Sequence, residues 1–102
     1  MVARVSRYDV GADRISDAAA AFGEAAQEIE RLDGFAGGFV LVDYEDGRTM
    51  SVTLWNSQAA LEQSESAARR ARNSAADAVG GSVLSVETFD VARELRPATR
   101  SA

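Results

Sequence analysis

Few side chains in this sequence are equipped to make or break bonds, and the shortage narrows the chemistry at once. The chain has no histidine and no cysteine, and its 11 basic residues are all arginine. That removes imidazole bases, thiolate nucleophiles, Schiff-base lysines, disulfides, Cys/His zinc sites and a histidine-held haem. What remains is a single tryptophan, Trp55, with Tyr8 on an alternating segment and Arg69 and Arg72 on a helically spaced one. The Trp55 ring can line a pocket and donate its N–H to a bound oxygen, or it can sit in a core or dimer contact with that N–H on a backbone carbonyl. Arg72, with Arg69 as its alternate, can stabilise an enolate or phenolate as charge develops, or can pair in solvent with Glu65. Tyr8 can give or relay a proton, or pack with its hydroxyl at a rim. Asn56 offers a side-chain amide beside Trp55, or a helix cap.

The acids supply no second constellation. Asp43, Glu45 and Asp46 flank a turn, where exposed carboxylates are expected, and Glu24, Glu28 and Glu30 fall on the wet side of a helix. Gly34, Gly37 and Gly38 lack the spacing of a phosphate cradle. No metal and no cofactor is therefore expected. A formal charge of -5 argues against nucleic acid as a partner. No apolar stretch is long enough for a membrane span, and the first residues alternate where a signal peptide would have an apolar block, so a cytoplasmic protein is expected.

The elements that must position these residues follow from periodicity. Val2 to Val10 alternates and reads as a strand. Ile15, Ala18, Phe22, Ala25, Ile29 and Leu32 then recur at helical spacing, with Asp13 or Ser16 as the cap and Gly34 closing the helix. Alternation returns from Phe39 to Tyr44 and from Met50 to Trp55 around an Asp46-Gly47 turn, which predicts a hairpin. Asn56 or Ser57 starts a second helix near Gln58, marked by a stripe of small residues (Ala60, Ser64, Ala68, Ala71, Ala75), with Asn73-Ser74 loosening its middle and Gly80-Gly81 ending it. Ser82 to Val91 is the last strand. The expected layout is one domain over residues 1–92 and a flexible tail over 93–102. The order βαββαβ gives an α+β, ferredoxin-like fold, a four-stranded antiparallel sheet with both helices on one face.

Such a sheet should be polar on its free face, yet both phases of its strands are apolar. Phe39 and Leu41 oppose Val40, Val42 and Tyr44, while Val83, Phe89 and Val91 oppose Leu84 and Val86. A monomer would expose more contiguous apolar surface than a single subunit normally shows. A homodimer pairing sheet on sheet is the expected remedy.

The run Thr53-Leu54-Trp55-Asn56-Ser57, leading straight into a helix within this element order, resembles the dimeric α/β-barrel superfamily and, inside it, the antibiotic biosynthesis monooxygenase domain. The resemblance extends from Val2 to about Val91. It implies two ferredoxin-like subunits whose sheets close into a barrel, each with a pocket between its sheet and its own helices. Some members oxygenate polycyclic phenols without metal or flavin, and relatives degrade haem. The haem-degrading branch uses a second-helix histidine, a third-strand tryptophan and a first-strand asparagine. Trp55 matches the tryptophan, but the chain has no histidine and carries Ser6 and Tyr8 on its first strand. The phenol-oxygenating branch uses a tryptophan, an asparagine four residues before it and a second-helix arginine, which fall here on Trp55, Ser51 and one of Arg69, Arg70 or Arg72. Residue reading and resemblance together make Trp55, Arg72 and Tyr8 the catalytic candidates, and Ser51, Asn56 and Arg69 the substrate contacts. The implied function is cofactor-independent oxygenation of a small aromatic or polyketide-like compound, or else a non-catalytic small-molecule-binding or accessory role on the same fold.

Overall fold

The computed structural model describes residues 1–98; the last four residues of the expected tail lie outside them. The elements are β1 (Val2–Asp9), a short 3-10 turn (Ala12–Arg14), α1 (Ile15–Ile29), β2 (Phe35–Asp43), β3 (Arg48–Trp55), α2 (Gln58–Gln63), α3 (Glu65–Ala78) and β4 (Ser82–Asp90). The four strands form one antiparallel sheet in the order β2-β3-β1-β4, as the βαββαβ reading requires.

Two details of the helices depart from expectation. Neither Asp13 nor Ser16 caps α1: the chain enters it through the 3-10 turn, and Arg14 donates instead to Asp17 in the first turn. The expected second helix is two helices. Ser57, not Asn56, caps α2 by accepting the Ala60 N–H at 3.1 Å. The break falls at buried Ser64, whose hydroxyl donates to the Leu61 carbonyl at 2.6 Å, while α3 runs unbroken through Asn73-Ser74. A side-chain hydroxyl bonded back into its own preceding turn is a recognised way to bend a helix.

Register decides which phase of each strand meets the helices. Val2 pairs with Trp55, Arg4 with Thr53, Ser6 with Ser51 and Tyr8 with Thr49, and this row faces α1 and α3. Gly38 lies beside Thr53 in the same row because a Cβ there would run into the Val52 carbonyl oxygen. Polar residues thus occupy the middle of the covered face. The core is correspondingly divided into two clusters. One gathers Tyr8, Val10, Ile15, Ala18, Phe22, Ala75 and Val79, and the other Val2, Ile29, Trp55, Leu61, Ala68 and Ala71.

The opposite face carries the apolar residues. Phe39 is 65% exposed and Leu84 64%, with Leu41 and Phe89 also exposed on that side. Leu84 and Phe89 have opposite phases in the sequence, and the register shift opposite Arg7 and Tyr8 brings them to one face. Among the described residues no helix is long and apolar enough to cross a membrane.

Candidate ligand-binding site

Between the two core clusters lies a cleft of about 250 Å³. Its floor is the sheet row Arg4, Ser6, Tyr8, Ser51 and Thr53, and its walls are Phe22, Ala25, Ala26 and Ile29 of α1 with Ala68, Ala71 and Arg72 of α3. The opening has a sequence cause. The α3 stripe is alanine where a packed bundle would carry leucine, and the floor carries serine and threonine where a core strand would carry valine or isoleucine. Small side chains leave the space unfilled. Its exposed lining residues, Gly23, Glu30, Gly38 and Phe39, mark a mouth between α1 and β2.

Two guanidinium groups share one carboxylate at the α3 side. Arg4 is only 3% exposed; its Nη2 donates to the Leu61 carbonyl at 2.9 Å and to Glu65 Oε2 at 2.8 Å. Arg72, whose side chain is 10% exposed, donates from Nη2 to Glu65 Oε1 at 3.1 Å. Burial lowers the Arg4 pKa from its ordinary value, against the pull of Glu65, and the nearby Arg72 charge lowers it further. Burial also pushes the Glu65 carboxyl up, but the Arg72 hydrogen bond and the charges of Arg4, Arg72 and Arg69 outweigh it and hold Glu65 below the usual glutamate value. The pairing is incomplete. Arg4 Nε and Nη1 and Arg72 Nη1 are buried and have no hydrogen-bond partner among the described residues.

The structure brings Tyr8, Ser51 and Arg72 together on the cleft, the first two joined by a hydroxyl–hydroxyl hydrogen bond of 3.0 Å. Trp55 stands behind the floor. It is fully buried, its N–H donates to Thr53 Oγ1 at 3.0 Å, and its ring packs edge-on against Phe35. The Arg4 guanidinium carbon lies 5.7 Å from the centre of that ring, a cation–π approach. Asn56 and Arg69 lie away from the cleft, both exposed: Asn56 ties its backbone N–H to the Gly34 carbonyl, and Arg69 approaches Glu65 Oε1 at 3.6 Å from outside. Arg4 was not among the residues singled out from the sequence. The signal for it was its phase, since it shares a strand face with Val2, Tyr8 and Val10, a face otherwise suited to burial.

Taken as chemistry, the cleft offers an apolar slot from α1, two cations on one side, and a hydroxyl pair on its floor. That arrangement can take a small, largely apolar molecule that carries oxygen. Among the described residues no group of acids, histidines or cysteines is arranged to hold a metal ion.

No protein-family model matches the chain, and no curated protein matches it in sequence. Solved structures do match it in fold. One is a Deinococcus radiodurans protein named as a candidate antibiotic biosynthesis monooxygenase, at TM-score 0.76 and 15% identity, covering 97% of this chain and 100% of that one. A second is a variant of SnoaB, a cofactor-independent oxygenase from Streptomyces nogalater, at TM-score 0.70 and 16% identity, covering 94% and 97%. A third is the heme-degrader MhuD from Mycobacterium tuberculosis with two hemes bound, at TM-score 0.71 and 22% identity, covering 94% and 100%. At these identities the likeness establishes the fold, and the chain has the fold of the antibiotic biosynthesis monooxygenase-like proteins.

Proposed function

We propose that this chain, built on the antibiotic biosynthesis monooxygenase-like fold, oxygenates a flat hydroxylated aromatic or polyketide-like compound with dioxygen and without a cofactor. The observation that carries the reading is the cleft itself, an apolar slot lined also by the nearly buried Arg72 and the bonded pair Tyr8 and Ser51. For an anthrone, loss of a proton gives a delocalised anion whose electrons reduce dioxygen. One oxygen atom enters the ring carbon as a carbonyl and the other leaves as water with the two hydrogens lost from that carbon, so the substrate supplies all four electrons that dioxygen takes up. The protein's part is placement, exclusion of water and stabilisation of the developing oxyanion by Arg72, with Tyr8 and Ser51 holding or moving a proton at the substrate oxygen. Trp55 acts in this reading as a positioning residue, fixing Thr53 through its N–H and Arg4 through its ring. The residues present do not fit a histidine-held haem, since the chain contains no histidine, and no step here runs through one.

The purified chain, incubated with a panel of hydroxylated anthrones under dioxygen, is expected to yield products that have gained an oxygen and lost two hydrogens, read by mass. Arg72→Ala is expected to lower kcat by about 10²–10³-fold, the usual loss for one oxyanion-stabilising donor. Binding without product would favour a second reading, a non-catalytic binding or accessory domain. That reading draws on Ser51, a hydroxyl where the oxygenating branch has an amide, and on the Trp55 N–H being engaged by Thr53.

The working unit of this reading is a homodimer closed over the Phe39, Leu41, Leu84 and Phe89 face. At about 25 cal/mol per Å² of apolar surface, covering a few hundred Å² contributes several kcal/mol before the costs of association. Sedimentation at micromolar concentration is expected to give the mass of two chains, and a stable single subunit would count against the dimer.

A further inference from the structure

The cleft contains more cationic capacity than its own acids consume. Two guanidiniums of the cleft, and Arg69 from outside it, meet one carboxylate, Glu65, which already spends one oxygen on Arg4 and the other on Arg72. Three nitrogens, Arg4 Nε and Nη1 and Arg72 Nη1, are buried without an acceptor among the described residues. Native interiors rarely leave such donors unmet, and an unmet donor on a charged group is the most unfavourable kind. Both arginines line the cleft. Among the described residues the one acid that lines the cleft, Glu30, is exposed at its mouth, where solvent screens it.

We propose that Arg4 joins Arg72 as the second cation of an oxyanion site, and that the cleft takes its flat hydroxylated ligand with the acidic hydroxyl already ionised. The inference deepens the aromatic-ligand reading above and rests on it for the shape of the ligand. An oxyanion supplies the missing acceptor at a place where burial strengthens each charge–dipole contact, and a neutral hydroxyl or ether accepts from the same donors more weakly. The site therefore favours the ionised form over the neutral one, and a protein that needs no electron carrier gains a substrate that is already electron-rich.

The probe is 7-hydroxycoumarin, a flat bicyclic phenol whose neutral and ionised forms absorb at different wavelengths, with 7-methoxycoumarin as the control that cannot ionise. Titrated against the full chain, bound 7-hydroxycoumarin is expected to ionise at least one pH unit lower than in water, which corresponds to the anion binding tenfold or more tighter than the neutral phenol. Arg4→Gln is expected to abolish that shift and to weaken 7-hydroxycoumarin binding severalfold more than 7-methoxycoumarin binding, and Arg4→Lys to restore part of the shift. Because a variant at a buried position can fail to fold, the wild-type chain carries an independent readout: the Arg4 Nε–H resonance should move on adding 7-hydroxycoumarin and stay in place with 7-methoxycoumarin. Binding with no ionisation shift, a shift that persists in folded Arg4→Gln, or no binding of the probe overturns the proposal. A full shift with no anthrone oxygenated leaves the oxyanion site standing and removes the oxygenase reading, so the two fail separately.

Discussion

Replacing Trp55 by alanine is expected to destabilise the fold by about 3–5 kcal/mol, the range for deleting a large aromatic from a packed interior. Trp55 has no exposed surface and joins Val2, Ile29, Leu61, Ala68 and Ala71 in one of the two core clusters. Several of its neighbours are alanines, which cannot swing in to fill the void, so the site collapses poorly and the cost falls toward the upper end. Against a total of roughly 5–15 kcal/mol for a domain of this size, the variant stands close to unfolding at ambient temperature. Denaturant unfolding followed by far-ultraviolet circular dichroism measures it, since the variant has no tryptophan to follow. A midpoint shift worth less than about 1.5 kcal/mol, with an unchanged slope, would show that Trp55 is not the keystone of its cluster.

The second large effect concerns Glu65 and pH. Removing this carboxylate by Glu65→Ala leaves two guanidiniums facing one another, one buried and one nearly so. The expected cost is about 2 kcal/mol, below the full penalty for breaking a buried pair because Glu65 is itself partly open to solvent. The sign with pH follows from the lowered pKa of Glu65. Its contribution is present above the ordinary glutamate value and is lost as pH falls through the depressed value of the folded state. Stability curves collected from neutral pH down to about pH 3 should therefore converge for wild type and Glu65→Gln at the acid end and separate above it. Asp43, held low chiefly by its hydrogen bond from Arg48 and by backbone N–H groups in the hairpin turn, is common to both chains. The difference between the curves isolates Glu65, and parallel curves across the whole range would remove the network from the account.

How much of this was legible beforehand depends on which physical signal each feature leaves. Strands, helices, the hairpin and the element order follow from period and turn chemistry, and the structure has them all. The covered phase of the sheet was not readable, because Phe39 and Leu41 on one side and Val40 and Val42 on the other are equally apolar. Only pairing β1 with β3 and β4 settles it. Arg4 went unremarked for the same reason: a charged residue in a burial phase reads as an exception until a partner such as Glu65, 61 residues away, is seen to meet it. The break at Ser64 was missed because serine in a small-residue stripe fits a continuous helix as well as a bent one. Arg72, Tyr8 and Ser51, candidates by sequence, lie on one cleft, whereas Asn56 and Arg69 lie outside it: Asn56 sits in the exposed link between β3 and α2, and for Arg69 helical spacing alone does not distinguish the inner from the outer edge of α3.

The single indole of this chain stands beside the buried Arg4 cation and behind the cleft floor. Indole emission is sensitive to a nearby charge, so any event that alters the field around Arg4 should change the colour or intensity of one well-placed chromophore. The protein therefore carries its own optical gauge of occupancy, readable without a label and without knowing what the occupant becomes.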